Sequence, residues 1–114
     1  LISQRKTSIK NFYLTRPNIV EEAAVNRALF LAKKSGGNLY IVHTTTAGTV
    51  KSVELARRIG VKVIVETCPQ YLILTKDVFK RKDGYLYATC PPLKLHSDNK
   101  GLWDGLILNY LFLL

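Results

Sequence analysis

The chain has 114 residues, enough for one domain with a modest core. Its 47% hydrophobic and 22% charged residues are the composition of a globular protein and exclude a disordered tail or a fibrous repeat. The net charge of +9 raises nucleic acid as a partner, but the 17 basic residues are scattered and carry no nucleic-acid-binding signature, so none is expected.

Thr15-Arg16-Pro17-Asn18 reads as a turn-like entry, with Pro17 fixing φ and Asn18 able to cap a helix. Ile19 to Lys34 has helical spacing. Val20, Ala24 and Leu31 fall on one side, with Glu21 and Glu22 in the first turn and Lys33 and Lys34 in the last, the charge order a helix dipole favours. Gly36-Gly37 stops it. Leu39-Tyr40-Ile41-Val42 predicts a strand apolar on both faces, as in a parallel sheet covered by helices.

A second helix is predicted from about Ala47 to Ile59, presenting Val50, Val53, Leu55 and Ala56, and Gly60 closes it. The β-branched run Val61 to Val65 is the next strand. Tyr85 to Thr89 suits another short strand leading into Cys90-Pro91-Pro92, and a helix carrying Trp103 is expected from Asp98. The apolar tail from Leu102 to Leu114 falls short of the roughly 20 residues that cross a bilayer. It reads as a core helix or a malformed end, and no membrane partner is expected.

Helix, strand, helix and strand in this order, joined by short glycine-marked loops, indicate an α/β fold with right-handed crossovers. In such folds functional residues gather where strands end at their carboxyl side. His43, Glu66-Thr67-Cys68 and Cys90 fall at such positions. Two readings of His43 stand open: a metal ligand, or a histidine hydrogen-bonded to a neighbouring threonine. One histidine cannot make a catalytic zinc site, which takes about three protein ligands.

Thr44-Thr45-Thr46 suits helix capping and turn bonds. Glu66 reads as a strand-end carboxylate bonding loop amides or a lysine, Cys68 as a small half-buried thiol, and His96 as a surface residue. Gly48 belongs to no phosphate loop. Cys68 and Cys90 suit reduced thiols in a cytoplasmic protein. The chain has no methionine, even at position 1, and no signal-peptide pattern, so a piece of a longer chain is expected.

Four runs, "RPNIVEEAAVNRALFLAKKSG", "LYIVHTTTAG", "ARRIGVKVIVETCPQYLILT" and "CPPLKLHSDNKGLWDGL", stand in an order and spacing that resembles the dihydropyrimidinase/hydantoinase family. Allantoinases and dihydroorotases share parts of the pattern, and the Cys68-Pro69-Gln70-Tyr71 wording with Pro91-Pro92-Leu93-Lys94 favours the hydantoinase branch. The likeness is strongest over 12–106, within a single unit of 1–114, and 107–114 diverges.

The resemblance implies a partial (β/α)8 TIM barrel, about strands six to seven with their helices, from a zinc-dependent hydrolase opening dihydropyrimidine or hydantoin rings. It implies that His43 ends strand six and holds the more exposed of two zinc ions, and that Glu66 ends strand seven. Cys90, where serine is usual, would contact a small cyclic amide or ureide substrate through its backbone. The intact family is expected to be a homo-oligomer, a tetramer. The strand-one histidines, the bridging lysine and the strand-five histidine would precede Leu1, and the ending reads as a frame change or early stop. The isolated chain, with no catalytic residue of its own, is therefore expected to be inert and aggregation-prone. Two alternatives remain: a non-catalytic structural or binding relative of the same fold, and an allantoinase-type hydrolase.

Overall fold

The computed structural model describes residues 2–114. Three parallel strands, β1 (Leu39–Ile41), β2 (Val63–Thr67) and β3 (Phe112–Leu113), lie side by side in the order β1-β2-β3. Leu39, Tyr40 and Ile41 pair with Val63, Ile64 and Val65, and Glu66 and Thr67 pair with Phe112 and Leu113. Four α-helices, α1 (Asn18–Ser35), α2 (Ala47–Arg58), α3 (Pro69–Ile73) and α4 (His96–Ile107), accompany them, with 3-10 segments at Ile9–Thr15, Lys76–Lys80 and Gly84–Tyr87. The expected α/β alternation is present.

The core gathers on one side of the sheet. Val63 and Val65 join Val50, Val53 and Ala56 of α2, Leu102 of α4 and Val25 and Leu29 of α1 in one buried cluster. Tyr40, Ile64 and Phe112, on the opposite sheet face, are exposed, as is Val42 just past β1. The first strand is therefore not buried on both faces, and it ends at Ile41, one residue early. Within α1 the buried side chains are Val25 and Leu29, whereas Val20 and Leu31 face solvent. On α2, Leu55 is likewise exposed.

Two close approaches fix the helices at the carboxyl end of the sheet. Gly101 of α4 lies against Ala47 at the start of α2, where a Cβ would stand 2.9 Å from the Ala47 Cα. Gly48 leaves room for the Glu22 carboxylate of α1, which occupies the place of the missing side chain. At the other end, Arg57 of α2 donates from Nε to the Val63 carbonyl (3.0 Å) and from Nη1 to the Asn109 carbonyl (2.7 Å). That guanidinium ties the start of β2 to the turn leading into β3.

Two expected elements take other forms. Tyr85–Thr89 is not a strand, because Gly84–Tyr87 winds as a 3-10 segment. Gly84 packs so tightly on Phe79 that an added Cβ would stand 2.9 Å from the Phe79 Cα, and this holds the chain in a turn. The tail is not one helix. α4 stops at Ile107, Asn109 adopts φ +59, Tyr110 N–H bonds the Gly105 carbonyl at 2.8 Å, and Leu111 is buried. The last residues then add β3 to the sheet, with Leu114 N–H donating to the Thr67 carbonyl at 3.1 Å. No helix among the described residues is long and apolar enough to cross a membrane.

Candidate active site

His43 lies two residues past β1, exposed, with φ +41 in the left-handed region. For a residue with a Cβ this conformation costs on the order of 1 kcal/mol and persists where its neighbours are firmly held. They are. Thr44 N–H donates to the Glu66 carbonyl at 2.9 Å, and the Thr67 hydroxyl donates to the Thr44 carbonyl at 2.7 Å.

The next residues are gripped by Glu21 of α1. Its Oε1 accepts from Thr45 N–H (3.0 Å), Thr46 N–H (3.1 Å) and the Thr49 hydroxyl (3.1 Å), and its Oε2 accepts from the Thr45 hydroxyl. Thr46 caps α2 by accepting from Thr49 N–H at 3.2 Å, the role expected of the threonine run. Thr44, Thr45 and Thr46 are all essentially inaccessible to solvent.

A second carboxylate works from below. Asp98 of α4, only 3% exposed, accepts from Ala47 N–H at 3.1 Å, from Leu95 N–H at 3.2 Å and from the Asn18 amide at 2.9 Å. Asn18 is therefore not a cap. It is the first residue of α1, and its side chain is spent on Asp98. Buried Lys94 donates to the Arg16 carbonyl. Burial lowers the Lys94 pKa below the ordinary lysine value, against the opposing pull of Glu21, Asp98 and Glu22.

Glu66 contacts neither loop amides nor a lysine through its side chain. Its carboxylate accepts from the Tyr40 phenol across the open sheet face. That bond, with burial and the carboxylate's charge adding to it, raises the Tyr40 pKa. Cys68 is half-buried, and burial, with Glu66 nearby, raises its thiol pKa. Cys90 is an exposed free thiol just before Pro91, whose carbonyl accepts from the Tyr71 and Thr89 hydroxyls at 3.0 and 2.9 Å. His96 is exposed at the start of α4.

A cavity of about 400 Å³ opens between α1 and β1, with Arg16, Glu21, His43, Thr44, Pro91 and Lys94 on its walls. His43 and the Pro91 segment thus face one space, while neither Cys90 nor Glu66 lines it. The buried Thr44 hydroxyl has no hydrogen-bond partner among the described residues. No three His, Cys, Asp or Glu side chains among the described residues gather as a metal site, and His43 is the one imidazole on the cavity wall.

Glu21, Asp98, Lys94 and Tyr40 are the site residues that sequence reasoning did not single out. The acid in the first turn of α1 was visible, but its partners lie more than twenty residues away, and no local pattern joins them.

No family model matches the chain. The D-hydantoinase of Ralstonia pickettii is 37% identical over 107 residues, which cover 92% of this chain and 23% of that protein. The allantoinase of Rubrobacter xylanophilus is 35% identical over 105 residues, with the same coverage of each. Among solved structures, a crystal structure of D-hydantoinase superposes with a TM-score of 0.93 at 35% identity, covering 98% of this chain and 25% of that one. The dihydropyrimidinase of Brevibacillus agri NCHU1002 gives 0.92 at 33% identity, over 96% of this chain and 24% of that one. The chain thus spans about a quarter of the length of the proteins it matches. Named hydantoinases and allantoinases stand at nearly the same identity, so the wording of the motifs does not by itself separate the two branches. In sequence and fold together this segment is similar to one stretch of the hydantoinases, dihydropyrimidinases and allantoinases.

Proposed function

We propose that these residues form strands six and seven, with their helices, of a (β/α)8 barrel that opens a dihydropyrimidine or hydantoin ring. In this reading His43 supplies one imidazole to a zinc centre whose other ligands come from residues outside this sequence. The observation that carries it is placement. An exposed histidine, held in a costly backbone conformation, ends a parallel strand beside a cavity, in a fold matching D-hydantoinase at TM-score 0.93. Bound zinc would supply Lewis acidity toward a ring carbonyl. This chain's own residues orient the imidazole and shape the wall on which the ring lies, with the backbone of Cys90, just before cavity-lining Pro91, as a substrate contact at its rim. The intact enzyme is a cytoplasmic homo-oligomer in the same proposal.

Alone, the chain is inert and aggregation-prone. The outer edges of β1 and β3 have no strand partner among the described residues, and Tyr40, Ile64 and Phe112 leave one sheet face apolar and open. Zinc added to the purified chain should shift the His43 ring protons before those of His96, with no hydrolysis of hydantoin or dihydrouracil. Equal responses of the two histidines would sink the ligand assignment, and turnover above a metal-free blank would sink the claim of inertness. A second reading, an allantoinase-type ring opening, is favoured by the 35% identity to the Rubrobacter protein. Allantoin as a third substrate in the same assay extends the test of inertness to it.

A further inference from the structure

We propose that Glu21 is a positioning residue for His43, acting through the Thr45–Thr46 backbone, with Asp98 as its counterpart on the far side of the same turn. The inference deepens the reading of His43 as a ligand and rests on it for its functional meaning.

Three observations carry it. First, Glu21 belongs to α1, the helix before β1, yet its carboxylate accepts two successive backbone N–H groups and the Thr45 hydroxyl from the turn immediately after His43, and the Thr49 hydroxyl from the start of α2. A carboxylate serving four donors is far more than a helix-dipole residue needs; such charge-assisted bonds are about twice as strong as neutral ones. Second, Asp98 holds the next amide, Ala47 N–H, from the other side, so the amides of residues 45, 46 and 47 are each fixed by a carboxylate. Third, His43 is held at φ +41, a conformation the chain abandons unless its flanks are pinned.

Preceding residues are pinned by the sheet, and following ones by Glu21 and Asp98. Lys94 supplies a cation near both carboxylates and reaches the Arg16 carbonyl at the entry to α1, which links the Pro91–Lys94 segment to the same unit. An imidazole on this footing has its backbone orientation set before any ligand arrives, the form of preorganisation that a metal-binding or catalytic group requires.

The test is made on the metal-free chain by NMR, so that it is independent of whether His43 binds zinc. Glu21→Gln keeps the shape but loses the charge and half of the acceptor capacity. Thr45→Val leaves Glu21 intact and removes one of its donors. The expected result is exchange of the Thr45 and Thr46 amides faster by about tenfold in Glu21→Gln and by less in Thr45→Val. The His43 ring resonances should broaden or shift in both, while the Val53 and Val65 amides and the His96 resonances stay put. Glu54→Gln, which touches only a surface ion pair with Arg58, should change none of these.

Unchanged His43 resonances in Thr45→Val overturn the proposal, whatever becomes of Glu21→Gln. So does a Glu21→Gln chain in which all amides lose protection together while Thr45→Val is silent. Loss of zinc selectivity for His43 alongside an intact exchange pattern would instead remove the ligand reading and leave the clamp standing.

Discussion

The two segments that reach toward the cavity are built in opposite ways. After β1, Thr44, Thr45 and Thr46 are buried and tied by the sheet and by two carboxylates. Before Pro91, Tyr85 and Leu86 are 64% and 69% exposed, and the segment rests through Gly84 on the Phe79 backbone and on hydroxyls donated to the Pro91 carbonyl. The side chain proposed to aim a lone pair at a metal sits on the rigid segment. A residue proposed to act through its backbone, Cys90, sits on the more exposed one, where the identity of its side chain would matter less.

The largest way to break this contrast is Phe79→Ala. Phe79 is fully buried and meets Phe12 edge-on at 5.6 Å, so removing it should cost about 3–5 kcal/mol. That is a large share of the stability of so small a chain. Urea unfolding should show it, and a loss below about 1 kcal/mol would mean that this ring does not anchor the buried cluster beneath that segment. Next comes Asp98→Ala, expected to cost about 3 kcal/mol by orphaning Ala47 N–H, Leu95 N–H and the Asn18 amide. Its midpoint shift should exceed that of any exposed acid, such as Asp77.

Tyr71→Phe is a finer probe. It deletes the phenol that ties α3 to the Pro91 carbonyl, and about 1 kcal/mol should be lost with no change at Thr45 or Thr46. Proteolysis within 84–90 should quicken, which would sharpen the difference between the segments; unchanged cleavage would argue against the tie. The smallest effect is chemical. At neutral pH an alkylating reagent should label exposed Cys90 before Cys68, whose thiolate is disfavoured by burial and by Glu66. Raising the pH should speed Cys68 labelling as its thiol ionises, and equal rates at pH 7 would contradict the burial.

Much of the architecture was legible because it is written locally. Gly36 and Gly60 close the first two α-helices in left-handed conformations, at φ +70 and +86, and β-branched Val63 and Val65 mark the second strand. What escaped was set by distant partners. α1 carries apolar residues on more than one side, so its spacing alone could not choose Val25 and Leu29 over Val20 and Leu31; the neighbours chose. Tyr85-Leu86-Tyr87 alternates like a strand, but the contact of Gly84 with Phe79 turns it. Phe112 and Leu113 become a strand only because Glu66 and Thr67 offer an edge. His43 was legible as a candidate from its place after an apolar run, whereas Glu21 and Asp98 were not, since their partners lie in other elements.

Arg57 fastens the amino end of β2 to the turn before β3, while His43 and its threonines occupy the carboxyl end. Fastening and the proposed ligand therefore sit at opposite poles of the same short sheet. A fold arranged in this way can change what its upper loops recognise without retuning what holds its strands in register. The Arg57 guanidinium at that seam is where a substitution would be felt as lost folding, with the bonds of the Thr45–Thr46 turn left as they are.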